Sequence, residues 1–269
     1  MAKIPKRVAE RFRRELPRFQ RVLQNAKDRD VNEADTVMIV GDVLAGIFGF
    51  DKYEEITAEY AIRGVYCDLA VTIDGKVCYL IEVKAVGLAL KENHLRQAVN
   101  YGAAQGIPWV VLTNGLQWEI HRIRFEQPVD VELVCAFDLL ELNGRREADQ
   151  AQLYLLCKEG LAKAAIEEYH EHLQTVNRFV LGAVLQSDPM IDVFRRELRR
   201  ITPGLKVTKD EIAALLEDTL KRDVLEGEPA KRARALVAKA AKRALRRTAR
   251  SRSEEPTSIA AGDTTQESS

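Results

Sequence analysis

Apolar residues near the start of the chain recur at the spacing of a helix. Val8, Phe12, Leu16, Phe19 and Leu23 fall three or four apart, which predicts an amphipathic helix over residues 5–28 with one apolar face. A second helix is expected at 33–47, and then the period shortens. Strands are predicted at 53–60, 65–73 and 77–84, a helix at 91–104, and strands at 108–113, 116–124 and 129–135. Beyond about 136 the pattern is helical again. Leu153, Leu156, Leu161 and Ile166 mark one or two helices within 148–185, and another helix covers 189–201. Thr202-Pro203-Gly204 breaks the chain, and Thr208 followed by Glu211 forms a capping box ahead of a helix at 209–221. Alternating helix and strand in the first half, then helices alone, predicts an α/β fold: a mixed β-sheet core flanked by helices, with a helical C-terminal extension. The expected divisions are a basic N-terminal helix (1–30), the core (31–136), a helical region (137–228), and a basic segment with a tail (229–269). No internal repeat is evident.

Three charges interrupt strands that otherwise read as buried. Asp68 precedes an Asp74-Gly75 turn, and Glu82 and Lys84 follow it. Asp-Gly between two apolar runs is a strong hairpin signal. Glu82 and Lys84 are two apart and share a strand face, with Val83 on the other. A one-residue bulge in the hairpin would set Asp68 opposite Glu82 on that same face. Buried charges are ordinarily paired or bound to metal, and two carboxylates beside an ammonium make a candidate Mg²⁺ site. A structural ion pair of Lys84 with Glu82 or Asp68 is the alternative, and it leaves the third charge without a reason.

This Asp…Glu-x-Lys arrangement resembles the PD-(D/E)xK nuclease motif. It is followed by Gln97-x-x-x-Tyr101 on the predicted helix and by Leu112-Thr113-Asn114-Gly115 with Trp118 in a strand-turn-strand. In this order, the run from about Glu33 to Arg122 resembles the N-terminal nuclease domain of type I restriction enzyme restriction subunits. It looks closest to stand-alone versions described as predicted type IV restriction endonucleases. The resemblance implies a restriction-endonuclease-like core and metal-dependent hydrolysis of DNA phosphodiester bonds. It implies Mg²⁺ or Mn²⁺ held by Asp68 and Glu82, with the Val83 carbonyl as third ligand. Lys84 would position the attacking water or stabilise charge on the phosphorane-like transition state. Glu33 matches an acidic residue facing the metal site that the family carries on the helix before the sheet, which would make it a further metal residue, with Asp35 and Glu59 as competitors; a first-turn glutamate that favours the helix dipole is the structural alternative. Gln97 and Tyr101, one turn apart, would help hold DNA or the lysine. The bland reading is an amphipathic helix with Leu95, Ala98 and Val99 inward. His94 reads as a solvated histidine, and Thr113-Asn114-Gly115 as a type I′ turn with no chemistry.

Composition changes this picture little. Lys+Arg and Asp+Glu both number 41, so the formal net charge is zero, but the distribution is uneven. Lys3, Lys6, Arg7, Arg11, Arg13, Arg14, Arg18 and Arg21 crowd the first helix, and residues 231–252 hold many Lys and Arg and no acid. Basic ends around an acidic centre suit a DNA partner, although solvated helix faces have the same composition. Four scattered cysteines with no Cys-x-x-Cys give no zinc or thioredoxin-like signal and fit a reduced, cytoplasmic protein. The first residues lack the apolar segment of a secretory signal, and no stretch is long enough to span a bilayer. No phosphate-loop motif occurs, so ATP-driven translocation by this polypeptide alone is not expected. The expected partners are DNA and a second copy in a homodimer or a restriction/modification subunit: either the chain cuts independently or a separate partner supplies recognition. The alternative is a non-catalytic nucleic-acid-binding or scaffolding subunit of a restriction or defence complex. After Ser251 the composition predicts a disordered tail.

Overall fold

Asp74 and Gly75, at φ 49° and 75°, turn the chain between β2 (Val65–Ile73) and β3 (Lys76–Val83). This is the left-handed pair that an Asp-Gly hairpin supplies. From that hairpin the sheet extends in both directions through β1 (Ile56–Ile62), β4 (Trp109–Thr113), β5 (Gln117–Arg124) and β6 (Asp130–Asp138), in the order β1-β2-β3-β4-β5-β6. Only β3 and β4 run parallel. A parallel pair needs a crossover, provided by a 3-10 turn at Glu92–Leu95 and helix α3 (Arg96–Gln105). The structure is a computed structural model. It describes residues 3–62 and 65–253, and within them every side chain but those of 60–62, 65–66, 245 and 247–253.

Both sheet faces are covered, so the central strands are apolar on both sides. Tyr79, Ile81, Val83, Trp109, Val111, Trp118 and Ile120 face one layer; Leu80, Val110, Leu112 and Ile123 face the other, which α3 covers with Leu95, Ala98, Val99 and Tyr101. The first layer comes from α1 (Lys6–Asp28), α2 (Glu33–Val43) and later helices. The sequence predicts α1 as a separate basic element. Instead Val8, Phe12, Leu16, Phe19 and Leu23 are all buried in the main core, because a stripe of that size, at about 1.5–3 kcal/mol per large side chain, gains most where the sheet covers it. Helix α2 runs on through a π-helical turn, Leu44–Phe48, and stops at Gly49 (φ 83°).

The expected core boundary at 136 is not a division of the structure. Helices α4 (Glu147–Leu156) and α5 (Lys158–Leu161) and the start of α6 (Ala165–Thr175) put Leu153, Leu155, Leu156, Cys157, Ala165 and Ile166 into the same core. The buried Tyr79 hydroxyl of β3 donates to the Leu156 carbonyl at 3.0 Å. Two compact units result, residues 1–171 and 172–269, with the division inside α6.

The second unit holds α7 (Arg178–Leu185), α8 (Asp188–Ile201), α9 (Lys209–Thr219), α10 (Arg222–Leu225) and α11 (Gly227–Ser253). The Thr208–Glu211 capping box that opens α9 is fully formed. Val180 and Ala183 of α7 pack with Ala233 of α11, joined by Phe179, Val184 and Val237. From residue 254 onward, the expected tail lies outside the described residues. Among the described residues no helix is long and apolar enough to cross a membrane.

Candidate active site

The β2–β3 hairpin carries one extra residue. Val71 pairs with Tyr79, but the next pair is Thr72 with Val77, so Cys78 is bulged. The shift sets the register in which Leu69 faces Ile81, and one step further Asp68 faces Glu82. Asp68 then accepts the backbone N–H of Val83 at its Oδ2 (2.7 Å). The Lys84 ammonium donates to Glu82 Oε1 at 2.8 Å and lies 3.5 Å from Glu33 Oε1. Glu33 comes from the first residue of α2, whose N-terminus is fixed by Asn32 accepting the Asp35 N–H. Four charged side chains from three elements thus meet at the C-terminal end of β3.

These groups are not ordinary surface charges. The side chains of Glu82 and Lys84 are only 9% and 16% exposed, against 49% for Glu33. Burial pushes the Glu82 carboxyl above its usual range; the Lys84 hydrogen bond pulls it back only partly, and the Asp68 charge adds to the rise. Burial likewise raises Asp68, against the Val83 N–H and the Lys84 charge. For Lys84, burial works against the charge but is outweighed by the hydrogen bond to Glu82 and the negative charges of Glu82, Glu33 and Asp68, so its pKa is raised. When all are ionised, three carboxylates against one ammonium leave two negative charges in a half-buried place, which is costly without a further cation.

That deficit fits a divalent cation. Asp68 and Glu82 would be its carboxylate ligands, as hard cations prefer oxygen. Among the described residues, no group of three or more His, Cys, Asp or Glu side chains is placed to hold a metal ion. One or two carboxylates plus water is, however, the set Mg²⁺ ordinarily takes. Val83 keeps its side chain in the core and its N–H on Asp68.

The Thr113–Gln117 connection bears on this site, although by sequence it reads only as a turn. Lys84 N–H donates to the Thr113 carbonyl at 2.8 Å, and Asn114 Nδ2 donates to the Leu88 carbonyl at 2.9 Å. The two residues bracket the segment that follows Lys84. The turn is not type I′: three residues separate β4 from β5, and only Gly115 has positive φ (83°). Asn114 Oδ1 accepts the N–H groups of Leu116 and Gln117, an Asx turn that keeps Asn114 itself out of the left-handed region. Thr113 and Asn114 are buried, and two buried polar residues in an apolar hairpin are the signal that could have identified them.

The other candidates separate. Gln97 lies exposed and Tyr101 buried on α3, the helix covering the sheet face that carries Leu80 and Ala70. By strand alternation Asp68 and Glu82 belong to that face too. Asp35 serves the α2 cap, and Glu59 is exposed in β1 with φ 48°. Of the three acids considered for the helix position, Glu33 is the one that reaches Lys84. His94 is not solvated as expected: it is half-buried, with Nδ1 out of contact with solvent.

Residues 50–133 match the family model described as type I restriction enzyme R protein N terminus. The match covers roughly a third of the chain, takes in Asp68, Glu82, Lys84, Gln97 and Tyr101, and leaves out Glu33. It supports a place in a restriction system for this stretch. No curated protein and no solved structure matches the chain.

Proposed function

From the restriction-enzyme match and the charged cluster inside it, we propose that this protein is a divalent-metal-dependent DNA endonuclease of restriction type, with a PD-(D/E)xK site. The observation that carries the reading is the convergence of Asp68, Glu82 and Lys84, with Glu33 behind the lysine, at the end of β3. When bound, Mg²⁺ or Mn²⁺ polarises a phosphate oxygen and acidifies a water. The chain's own part is positional and electrostatic. Asp68 and Glu82 would hold the cation, with the Val83 carbonyl as a third ligand. Asp68 is itself held by the Val83 N–H, so its carboxylate is oriented before any ligand arrives. Lys84, kept protonated by its acidic neighbours, faces the place where negative charge grows on the scissile phosphate and orients the attacking water. Glu33 keeps that ammonium from collapsing wholly onto Glu82. Gln97 and Tyr101 on α3 support the DNA side of the same sheet face.

The test is cleavage of modified and unmodified plasmid DNA with Mg²⁺ or Mn²⁺, comparing the native chain with Lys84→Ala. Metal-dependent cleavage that the variant loses while remaining folded supports the reading. Equal cleavage by both points to a contaminant. A well-folded native chain that neither binds metal nor cuts any DNA moves the function to a binding or scaffolding subunit.

A further inference from the structure

The last helix of the second unit carries its charge differently from the other arginine-rich helices. On α1, Arg7 and Arg11 meet Glu159, and Arg14 and Arg18 meet Glu15. On α8, Arg195 meets Asp192, while Arg196 and Arg200 share Glu197. Helix α11 has Glu228 in its first turn, paired with Lys231, and no acid after it. Arg232, Lys239, Lys242, Arg243 and Arg246 are exposed along the rest of the helix.

Their spacing is not random. At 3.6 residues per turn, Lys231, Arg232, Lys239, Lys242, Arg243 and Arg246 fall within an arc of about 120° and extend roughly 22 Å along the axis. Ala230, Ala233 and Val237 fall on the opposite side, where Ala233 and Val237 pack with α7. We infer that this stripe is a seat for the phosphate backbone of a nucleic-acid duplex. A linear array of cations with no acid among them suits a polyanion of regular charge spacing. An anionic bilayer fits less well, because the apolar face that an interfacial helix inserts into lipid is already covered by α7. Among the described side chains, Leu236 is the one bulky exposed apolar residue beside the stripe and gives no cluster of anchors for a protein partner. The inference takes DNA as the natural duplex from the proposed function, but its test needs no cleavage and can succeed or fail separately.

The experiment is fluorescence anisotropy of labelled duplex DNA, and of duplex RNA in parallel, with the full chain in EDTA across a salt series. Native protein is compared with K239Q/K242Q/R243Q and with R196Q/R200Q, whose arginines already face Glu197 on α8. Counterion release predicts that the triple variant lowers the slope of log affinity against log salt by about 2.7, roughly 0.9 for each phosphate no longer neutralised. Affinity at physiological salt should fall at least about tenfold, while R196Q/R200Q stays within about twofold. A loss of affinity for DNA supports the phosphate seat and its link to the nuclease reading; a loss for RNA alone supports the seat and separates it from that reading. A native slope in the triple variant overturns the inference, as does stripe-dependent binding of phosphatidylserine vesicles without binding of either duplex. Helicity by circular dichroism checks the fold. If the triple variant unfolds, the single substitutions read the same slope in steps of about 0.9.

Discussion

Lys84 stands between Glu82 and Glu33, 2.8 Å from one and 3.5 Å from the other, while Asp68 is held apart by the Val83 N–H. One ammonium therefore pairs with two carboxylates and acts on the third through its charge. Its removal leaves the desolvated Glu82 and Asp68 without that compensation.

Lys84→Met should therefore lower stability at neutral pH by at least about 1–3 kcal/mol, the cost of a buried polar group left without a partner, which is larger for a charge. The sign of its pH dependence follows from the raised carboxyl pKa values of Asp68 and Glu82. A carboxyl whose folded pKa lies above its unfolded one weakens the fold as pH rises through the interval between them. Without Lys84 that interval widens upward. The stability gap between variant and native chain should narrow as pH falls from neutrality toward the ordinary carboxylate range. Chemical denaturation at a series of pH values checks this, and a gap that stays constant or widens on acidification contradicts it.

Asp68→Asn should separate architecture from metal binding. The asparagine carbonyl can still accept the Val83 N–H, and the half-buried charge is gone, so metal-free stability at neutral pH should not fall. Native protein should be stabilised by Mg²⁺, Mn²⁺ or Ca²⁺, by about 2.7 kcal/mol at a hundredfold excess over Kd. Asp68→Asn and Glu82→Gln should abolish the shift. Thermal unfolding with and without the ion reads this without reference to cleavage.

Arg11 fixes the far end of the α2 segment. Its guanidinium holds Glu159 through two hydrogen bonds of 2.7 and 3.0 Å and donates to the Ile47 and Phe48 carbonyls. Burial is the largest single influence and would raise Glu159, but the Arg11 hydrogen bond, a backbone hydrogen bond and the Arg11 and Arg7 charges together outweigh it, and its pKa is lowered. That contribution is present above the ordinary carboxylate range and is lost as pH falls through the lowered value. Arg11→Met should cost about 1.5–3 kcal/mol at neutral pH, the range for hydrogen bonds to charged groups. The difference from the native chain should shrink in acid, as measured by urea unfolding at each pH.

Asn114→Ala removes three side-chain hydrogen bonds at once, to Leu88, Leu116 and Gln117. It should destabilise by about 1–3 kcal/mol. It should also speed amide exchange in the segment after Lys84, a readout that a change confined to the β4–β5 turn would not move. Hydrogen exchange resolved by peptide over 84–90 is the measurement.

The hairpin is legible in the sequence because its determinants are local. Asp74-Gly75 fixes the turn, strand alternation puts Glu82 and Lys84 on one face, and a bulge brings Asp68 opposite. The α9 capping box and the apolar stripe of α1 are equally local. What covers that stripe is not. The charges of α1 suggest a basic element standing apart from the core, yet several of its arginines are matched by acids, one of them far along the chain at Glu159. The boundary inside α6 depends on which helices find room on the sheet, which no periodicity records. Thr113 and Asn114 read as a turn because their second task, holding the chain after β3, is performed across a parallel strand pair. The reach of Glu33 to Lys84 is implied by resemblance alone; its own sequence context fits a helix start just as well.

The strand order has a consequence for how the protein is made. Each strand pairs with the one synthesised immediately before it, so the sheet can grow as the chain leaves the ribosome, with a single wait while α3 crosses over. Asp68, Glu82 and Lys84 lie within one early hairpin whose contacts are close in sequence, the kind that form fastest. The hairpin's charges can therefore be in register while water still solvates them, and their compensation becomes necessary only as β4 to β6 close over the sheet. Lys84, two residues from Glu82 on the same strand face, is already beside the carboxylates when that water leaves.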